Sequence, residues 1–183
     1  MARKAIIAIG LPGCGKSTYA KKLLSRDNGL CIINPDSIRG DLYGYGNPGV
    51  NFDSTFEEQT WGKAKHMAGK CVKDKKNIFI DATNPDRFGR AGIISWFDGT
   101  GYEIDAVRFV MEPGLAILRN EKRRKQDVPN RVICEKHLAL REPAPSEGFA
   151  KIKYVGMPPT AGEIDEMKSD PGRYDCAKIL AGR

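Results

Sequence analysis

The sequence predicts an α/β fold in which a parallel sheet of about five strands is flanked by helices. Three observations predict it. Residues 5–9 (AIIAI) form a continuous apolar run, as expected of a strand that is buried on both faces of a parallel sheet. Similar short apolar runs alternate along the chain with longer segments of helical periodicity. Strands that alternate with helices of this length favour a sheet whose strands are joined by crossover helices.

The other elements are predicted from the same pattern, in chain order. Further strands are expected at residues 31–33, 78–80, 104–110 and 151–155. Helices are expected at residues 17–25, from residue 37, and at residues 56–72, 85–97, 114–125 and 131–141. The helix over 56–72 has the clearest pattern, because its apolar and small residues recur every three or four positions.

The last part of the chain differs from the rest. Residues 1–155 are expected to form one domain, and residues 156–183 a helical tail packed on it. Two helix starts are visible in the tail. Thr160 and Glu163 form a capping box, and Asp170 followed by Pro171 combines a good cap with a proline of the first turn.

Composition narrows the class of protein. A length of 183 residues fits one domain, and a net charge of +7 favours polyanionic partners such as nucleic acid or phosphorylated ligands. The five cysteines are odd in number and widely spaced, so neither disulfides nor a zinc site are expected, and a reducing, cytoplasmic setting follows. No apolar run approaches the roughly 20 residues that span a bilayer, so no membrane association is expected. The oligomeric state is left open.

A phosphate-binding loop is predicted at residues 10–18 (GLPGCGKST). The segment fits the pattern G-x-x-x-x-G-K-[ST], follows a predicted strand and opens a predicted helix. Backbone N–H groups of such a loop point at phosphate oxygens, its lysine reaches the β- and γ-phosphates, and its serine hydroxyl holds Mg²⁺. A site for ATP and Mg²⁺ is therefore expected at Gly13, Cys14, Gly15, Lys16, Ser17 and Thr18.

Asp36 is the candidate catalytic base. The sequence contains no Asn/Thr-Lys-x-Asp segment that would recognise the guanine base of GTP, so a GTPase is not expected. Kinases need a carboxylate that accepts the proton of the acceptor hydroxyl, beyond the carboxyl end of a strand. Asp36 lies there by prediction. A second interpretation, compatible with the first, makes Asp36 the N-cap of a helix that Ser37 begins.

Two further segments are candidates for the site. Asp81 directly follows the strand at 78–80, which is where P-loop enzymes carry an acidic residue that holds Mg²⁺. A turn or capping role for Asp81 is an alternative. The basic run that starts at Arg119 and includes Arg123 could form a lid over the polyphosphate, at about residues 118–129. The alternative is a solvated helix face.

Four segments, in order, resemble the kinase module of the polynucleotide 5′-hydroxyl kinases of bacteriophages and animals, which are small P-loop kinases. They are GLPGCGKSTYA, NPDSIR, DATNPDRFGR and LRNEKRRKQDVP. The resemblance implies that Asp36 is the general base and that Arg39 contacts the phosphate next to the acceptor nucleoside. It also implies that Arg123 and Arg119 bind the triphosphate, and that the acceptor is a 5′-hydroxyl end of DNA or RNA. Pro35 stands where the family pattern has arginine, which puts any nucleic-acid contact of that arginine in question.

Other functions stay open at this point. Small P-loop kinases also act on sugars and modified nucleotides, so a small metabolite, a nucleoside or a hydroxymethylated base in DNA are alternative acceptors. An ATP-dependent binding module is a third reading. Residues 97–100 (FDGT) resemble part of a phosphatase signature, but its first aspartate is missing, so no 3′-phosphatase is expected. Trp61 is expected in the core, and Tyr43 or Tyr45 are candidates for stacking on a base.

Overall fold

Five parallel strands form one sheet with the order β2-β3-β1-β4-β5 in the computed structural model, which describes residues 3–122 and 128–182. The strands are β1 (Lys4–Ile9), β2 (Cys31–Ile33), β3 (Ile78–Ile80), β4 (Glu103–Val110) and β5 (Lys151–Gly156). Every neighbouring pair runs parallel; in one register Ile7 and Ile33 both lie opposite Ile80. The α/β fold with a parallel sheet of five strands is thus confirmed.

Eight α-helices accompany the sheet in the described ranges. They are α1 (Lys16–Leu24), α2 (Pro35–Tyr43), α3 (Glu57–Lys73), α4 (Arg87–Ile94), α5 (Pro113–Glu121), α6 (Asn130–Ala139), α7 (Ala161–Ser169) and α8 (Cys176–Leu180). Short 3-10 turns lie at Ser54–Phe56, Ser95–Phe97 and Pro145–Glu147. The helix predicted at 85–97 starts later, because Asp86 caps α4 by accepting from Gly89 N–H, and it ends in a 3-10 turn.

The sheet separates two apolar clusters, because alternate residues of each strand point to opposite faces. Ile7 and Ile9 of β1 belong to one cluster, which α3 covers with Ala64 and Ala68. Ala8 belongs to the other cluster. The helices that cover this second face contribute Ala20 of α1, four residues of α5 and two of α6. The α5 and α6 residues are Leu115, Ala116, Ile117, Leu118, Ile133 and Cys134.

The expectation that the chain has no disulfides is wrong. Cys31 and Cys71 form one disulfide, with Cα atoms 6.4 Å apart, and Cys134 and Cys176 form another, with Cα atoms 5.3 Å apart. Cys14 is free and buried. The partners lie 40 and 42 positions apart, and they meet because α3 packs beside β2 and α8 beside α6. The expectation of a reducing, cytoplasmic setting therefore loses its main support and stays a prediction.

The segment after β5 returns to α5 and α6. Glu163 of α7 pairs with Arg119 of α5 at 2.8 Å, and Arg173 pairs with Glu121 at 2.9 Å. Tyr174 is buried against the face of the sheet that α5 covers. Within residues 3–122 and 128–182, every helix is too short or too polar to cross a lipid bilayer.

Candidate active site

The phosphate-binding loop connects β1 to α1 at the centre of the sheet. Gly13 and Gly15 both have a φ of 84°, a backbone conformation that side chains with a Cβ rarely adopt. At Gly13 a Cβ would also lie only 2.9 Å from the carbonyl oxygen of Ala116 in α5. The loop therefore needs glycine at this position, both for its turn and for the close approach of α5.

Lys16 is folded back onto its own loop. Its Nζ donates to the carbonyl oxygens of Gly10 at 3.1 Å and Leu11 at 2.8 Å, and the side chain is buried. Ser17 and Thr18 are exposed at the start of α1. The ammonium group thus occupies the cradle that the loop forms, in the position where it could exchange backbone carbonyls for phosphate oxygens.

Asp36 lies beyond the carboxyl end of β2, as predicted, but its expected capping role is wrong. The N-cap of α2 is Asn34, whose side-chain oxygen accepts from Ser37 N–H at 3.0 Å. Pro35 occupies the first helical turn, where a missing N–H costs nothing. The carboxylate of Asp36 is therefore not engaged with the helix N-terminus, and 54% of its side chain is exposed. Sequence reasoning missed Asn34, although Asn before Pro and Asp is a recognisable cap signal.

Arg39 joins Asp36 to a second carboxylate. Its Nη1 donates to Asp36 Oδ1 at 2.6 Å, and its Nε and Nη2 donate to both oxygens of Glu57 at 2.7 and 2.8 Å. Burial alone would lower the pKa of Arg39, but the hydrogen bond to Glu57 and the charge of Asp36 outweigh it and raise that pKa. Glu57 was not among the predicted site residues, because its partner lies 18 positions away on another helix.

Asp81 and Asn34 connect neighbouring strand ends. Asp81 is buried directly after β3, and its Oδ2 accepts from Asn34 Nδ2 at 2.9 Å. In the described part of the chain no group of three or more His, Cys, Asp or Glu residues could hold a metal ion. A Mg²⁺ ion bound with a nucleotide does not need such a group, since phosphates and water supply most of its ligands. Asp81 and the Ser17 hydroxyl are the oxygen donors that fit such an ion.

One cleft, of about 1070 Å³, brings these residues together. Lys16, Ser17, Asp36, Arg39 and Asp81 all line it. Four aromatic side chains contribute to its walls, and these are Tyr45, Phe52, Trp61 and Trp96. Trp61, which was expected in the core, is partly buried against one of the two apolar clusters and also lines the cleft. A second depression, of about 610 Å³ and bordering the start of β4, contains none of the predicted site residues.

Arg90 fixes the far wall of the cleft. It is wholly buried, and its Nη1 donates to the carbonyl oxygens of Asn84 at 3.2 Å, Pro85 at 3.0 Å and Arg141 at 3.1 Å. Its Nε and Nη2 bind the two oxygens of Glu147 at 2.7 and 2.9 Å. Asn84 and Pro85 line the cleft, so this single guanidinium holds their backbone in place.

Of the two arginines predicted in the lid, the structure describes only Arg119. Arg123 lies outside the described residues. Arg119 donates to both oxygens of Glu163, at 2.8 and 3.0 Å, and to the carbonyl oxygen of Pro158 at 3.0 Å. Where the chain is described, then, Arg119 contacts the segment after β5 and not the walls of the cleft. Its assignment to the triphosphate stays a prediction.

The strand order, the phosphate-binding loop and the cleft beside it define a P-loop kinase. The sequence profile of the AAA domain family matches residues 6–143, most of the chain, and the chain belongs to that family.

The similar solved structures have names that point to different substrates. The Pnkp1/Rnl/Hen1 RNA repair complex matches with a TM-score of 0.67 and 22% identity, over 76% of this chain and 44% of that one. A fungal RNA kinase matches with a TM-score of 0.60 and 12% identity, over 93% and 45% of the two chains. A gluconokinase from Sinorhizobium meliloti 1021 matches with a TM-score of 0.56 and 13% identity, over 98% and 94%.

At these identities the likeness concerns the fold. The family match and the fold confirm that the chain is a P-loop kinase, and an RNA repair complex and an RNA kinase are among its structural neighbours. The chain spans 39% to 45% of the length of the RNA repair and RNA kinase chains that it matches.

Proposed function

We propose that this kinase transfers the γ-phosphoryl group of ATP to the 5′-hydroxyl end of a DNA or RNA strand. The observation that carries the proposal is the single cleft that joins the phosphate-binding loop to Asp36. A donor on the loop and an acceptor hydroxyl at Asp36 would share one space, which in-line transfer requires.

In the proposed reaction, the free oxygen of Asp36 accepts the proton of the 5′-hydroxyl. The hydroxyl oxygen attacks the γ-phosphorus, and the bond between that phosphorus and the β–γ bridging oxygen breaks, which leaves ADP. Lys16 leaves the Gly10 and Leu11 carbonyls and stabilises the charge on the phosphoryl oxygens. Ser17 and Asp81 would hold Mg²⁺, and the ion would supply positive charge that offsets the negative charge on the phosphates during transfer.

The nucleic-acid acceptor is supported by three features. Aromatic rings line the cleft, and Phe52, the most exposed of those described, offers a surface on which a base can stack. The net charge of +7 favours a polyanion. The sequence segments around Lys16, Asp36 and Asp81 resemble those of polynucleotide 5′-hydroxyl kinases, and an RNA repair complex and a fungal RNA kinase are among the structural neighbours.

A small hydroxylated metabolite is the second candidate acceptor, because of the charges that line the cleft. Among its described lining residues five are acidic and three are basic: Asp36, Glu57, Asp81, Asp86 and Glu135 against Lys16, Arg39 and Lys136. A strand of phosphates would be bound less strongly by such a surface than by a basic groove. The gluconokinase neighbour acts, by its name, on a small acceptor.

The direct test is transfer of label from γ-labelled ATP, with Mg²⁺ present, to a 5′-hydroxyl oligonucleotide and, in parallel, to a panel of sugars and nucleosides. We expect the oligonucleotide to be labelled. Asp36→Asn should lower kcat by about 10²- to 10⁴-fold and leave the affinity for ATP nearly unchanged, because only the proton acceptor is removed. Lys16→Ala should lower both kcat and the affinity for ATP.

Each outcome separates the candidates. Label on a sugar but not on the oligonucleotide would replace the nucleic-acid acceptor with the metabolite. Label on neither, with ATP hydrolysis that Asp36→Asn does not alter, would indicate a binding module. Wild-type transfer rates in Asp36→Asn would remove Asp36 as the base.

A further inference from the structure

Phe52 is an apolar ring that the fold leaves in contact with solvent inside the cleft. Its side chain is 53% exposed, whereas Tyr45, Trp61 and Trp96, the other aromatic residues described in the cleft wall, are each partly buried. Exposed single apolar residues are common on protein surfaces, but an exposed ring in the wall of a concave site is typical of ligand contact.

The ring lies close to the candidate base. The guanidinium carbon of Arg39 is 5.3 Å from the centre of the Phe52 ring, and Nη1 of the same arginine is 2.6 Å from Asp36 Oδ1. In a 5′-terminal nucleotide the hydroxyl and the base are attached to one ribose. A base that stacks on Phe52 therefore leaves the 5′-oxygen of the same nucleotide within reach of Asp36.

The ring is also held in place. Arg39 packs over it as a cation on an aromatic face, and both oxygens of Glu57 fix that arginine. Tyr45 meets the ring edge-on, with centroids 6.3 Å apart. A pre-positioned ring loses little conformational entropy when a base binds to it.

The other aromatic candidates are engaged elsewhere. Tyr43, which the sequence suggested for stacking, lies against Phe56 with ring centroids 4.6 Å apart. Trp61 and Trp96 pack against each other, and Trp61 Nε1 donates to Glu57 at 3.2 Å.

We infer that Phe52 is the acceptor-specificity residue, on which the base of the 5′-terminal nucleotide stacks during phosphoryl transfer. The inference rests on the proposed function and deepens it, since it assigns the acceptor class as ends that carry a base. Stacking uses the face that every base has, so the preference is for a base over an abasic sugar and not for one base over another.

The test compares Phe52→Ala with a matched control, Phe88→Ala. Phe88 is 92% exposed on α4 and is not among the residues that line the cleft. Two 5′-hydroxyl oligonucleotides are used, one with a normal terminal nucleotide and one whose terminal residue is an abasic ribose. Fluorescence of a terminal 2-aminopurine gives a readout of stacking that does not depend on turnover.

For the normal oligonucleotide, Phe52→Ala should raise KM roughly 5- to 150-fold, the range expected for the loss of one base–aromatic stack, with a smaller change in kcat. Phe52→Trp should restore KM. The abasic oligonucleotide should bind weakly to wild type and to Phe52→Ala alike, and Phe88→Ala should behave as wild type. Binding should quench 2-aminopurine in wild type and not in Phe52→Ala.

A wild-type KM for the normal oligonucleotide in Phe52→Ala would overturn the inference and leave the proposed function intact. An equal rise in KM for both oligonucleotides would overturn it as well, since the ring would then be acting through Arg39 and not through the base. Absence of any oligonucleotide labelling by wild type would overturn the proposed function itself, and the inference with it.

Discussion

At the scale of single residues, Arg90 is the most deeply buried charged side chain among the described residues. Arg90 is fully buried and binds three backbone carbonyl oxygens and both oxygens of Glu147. Burial by itself would raise the pKa of Glu147, but the hydrogen bonds from Arg90 and from Ala144 N–H outweigh it and hold that pKa below its usual range. The carboxylate of Glu147 is therefore held in its charged form by its hydrogen bonds with Arg90 and Ala144.

Replacing Arg90 with methionine should lower the free energy of unfolding by about 3–5 kcal/mol, because it leaves the carboxylate of Glu147 buried without its partner. Urea denaturation at pH 7 is the measurement. Arg87→Ala is the control. Arg87 is also near Glu147, at 3.8 Å, but its side chain is 63% exposed, so a change of less than about 1 kcal/mol is expected. Equal effects of the two substitutions would contradict this account.

At the scale of elements, α7 is attached to α5 by charge. Glu163 binds Arg119 through both oxygens, and it also accepts from Thr160 N–H at 2.8 Å as part of the capping box of α7. The hydrogen bonds from Arg119 and then from Thr160 lower the pKa of Glu163 to about 2. This part of the attachment therefore depends on the ionised form of Glu163, and Lys122 at the end of α5 adds a second pair with Glu166 of α7.

Because the folded-state pKa of Glu163 lies below its unfolded value of 4.5, the carboxylate stabilises the folded state above pH 4.5. This contribution should fall as the pH drops from 4.5 towards 2. Glu163→Gln should lower stability at pH 6, keep the capping geometry and lack this part of the pH dependence. The measurement is the urea midpoint from pH 6 to pH 2.5.

Asp165→Asn, an exposed change on the same helix, is the control and should leave the pH profile near wild type. If Glu163→Gln and wild type lost stability in parallel between pH 4.5 and pH 2.5, the pair with Arg119 would not be the source of the dependence.

At the scale of the whole molecule, the nucleotide site lies where the central strand meets its helix. The loop follows β1, which has neighbours on both sides, and it contacts α5 through Gly13 and Ala116. A ligand that binds here contacts a region that exists only in the folded chain. Nucleotide binding should therefore stabilise the entire fold.

ATP with Mg²⁺ at 100 times its Kd should add about 2.7 kcal/mol to the free energy of unfolding. For a chain of this size that corresponds to a rise in Tm of roughly 5 to 11 °C. Lys16→Ala should abolish most of the rise, since the lysine supplies the charge at the loop. Thermal unfolding of both proteins, with and without nucleotide, checks this. An undiminished rise in Lys16→Ala would mean that the nucleotide binds elsewhere.

The sequence by itself determined the features that depend on neighbouring residues. The apolar run of β1, the phosphate-binding loop and the alternation of strands and helices are local patterns, and the parallel sheet followed from them. The position of Asp36 beyond β2 could also be predicted from the sequence, because the carboxyl ends of parallel strands meet at one edge of the sheet. Its role as a cap was misread, since Asn34 two positions earlier is the cap.

Only the tertiary structure decided which distant side chains meet. Arg39 and Glu57 are 18 positions apart, Arg90 and Glu147 are 57 apart, and the two disulfides join cysteines 40 and 42 apart. Periodicity in the sequence reports whether a residue faces the core or the solvent. It does not report which elements become neighbours, because the order of strands in the sheet and the packing of helices on it bring those pairs together.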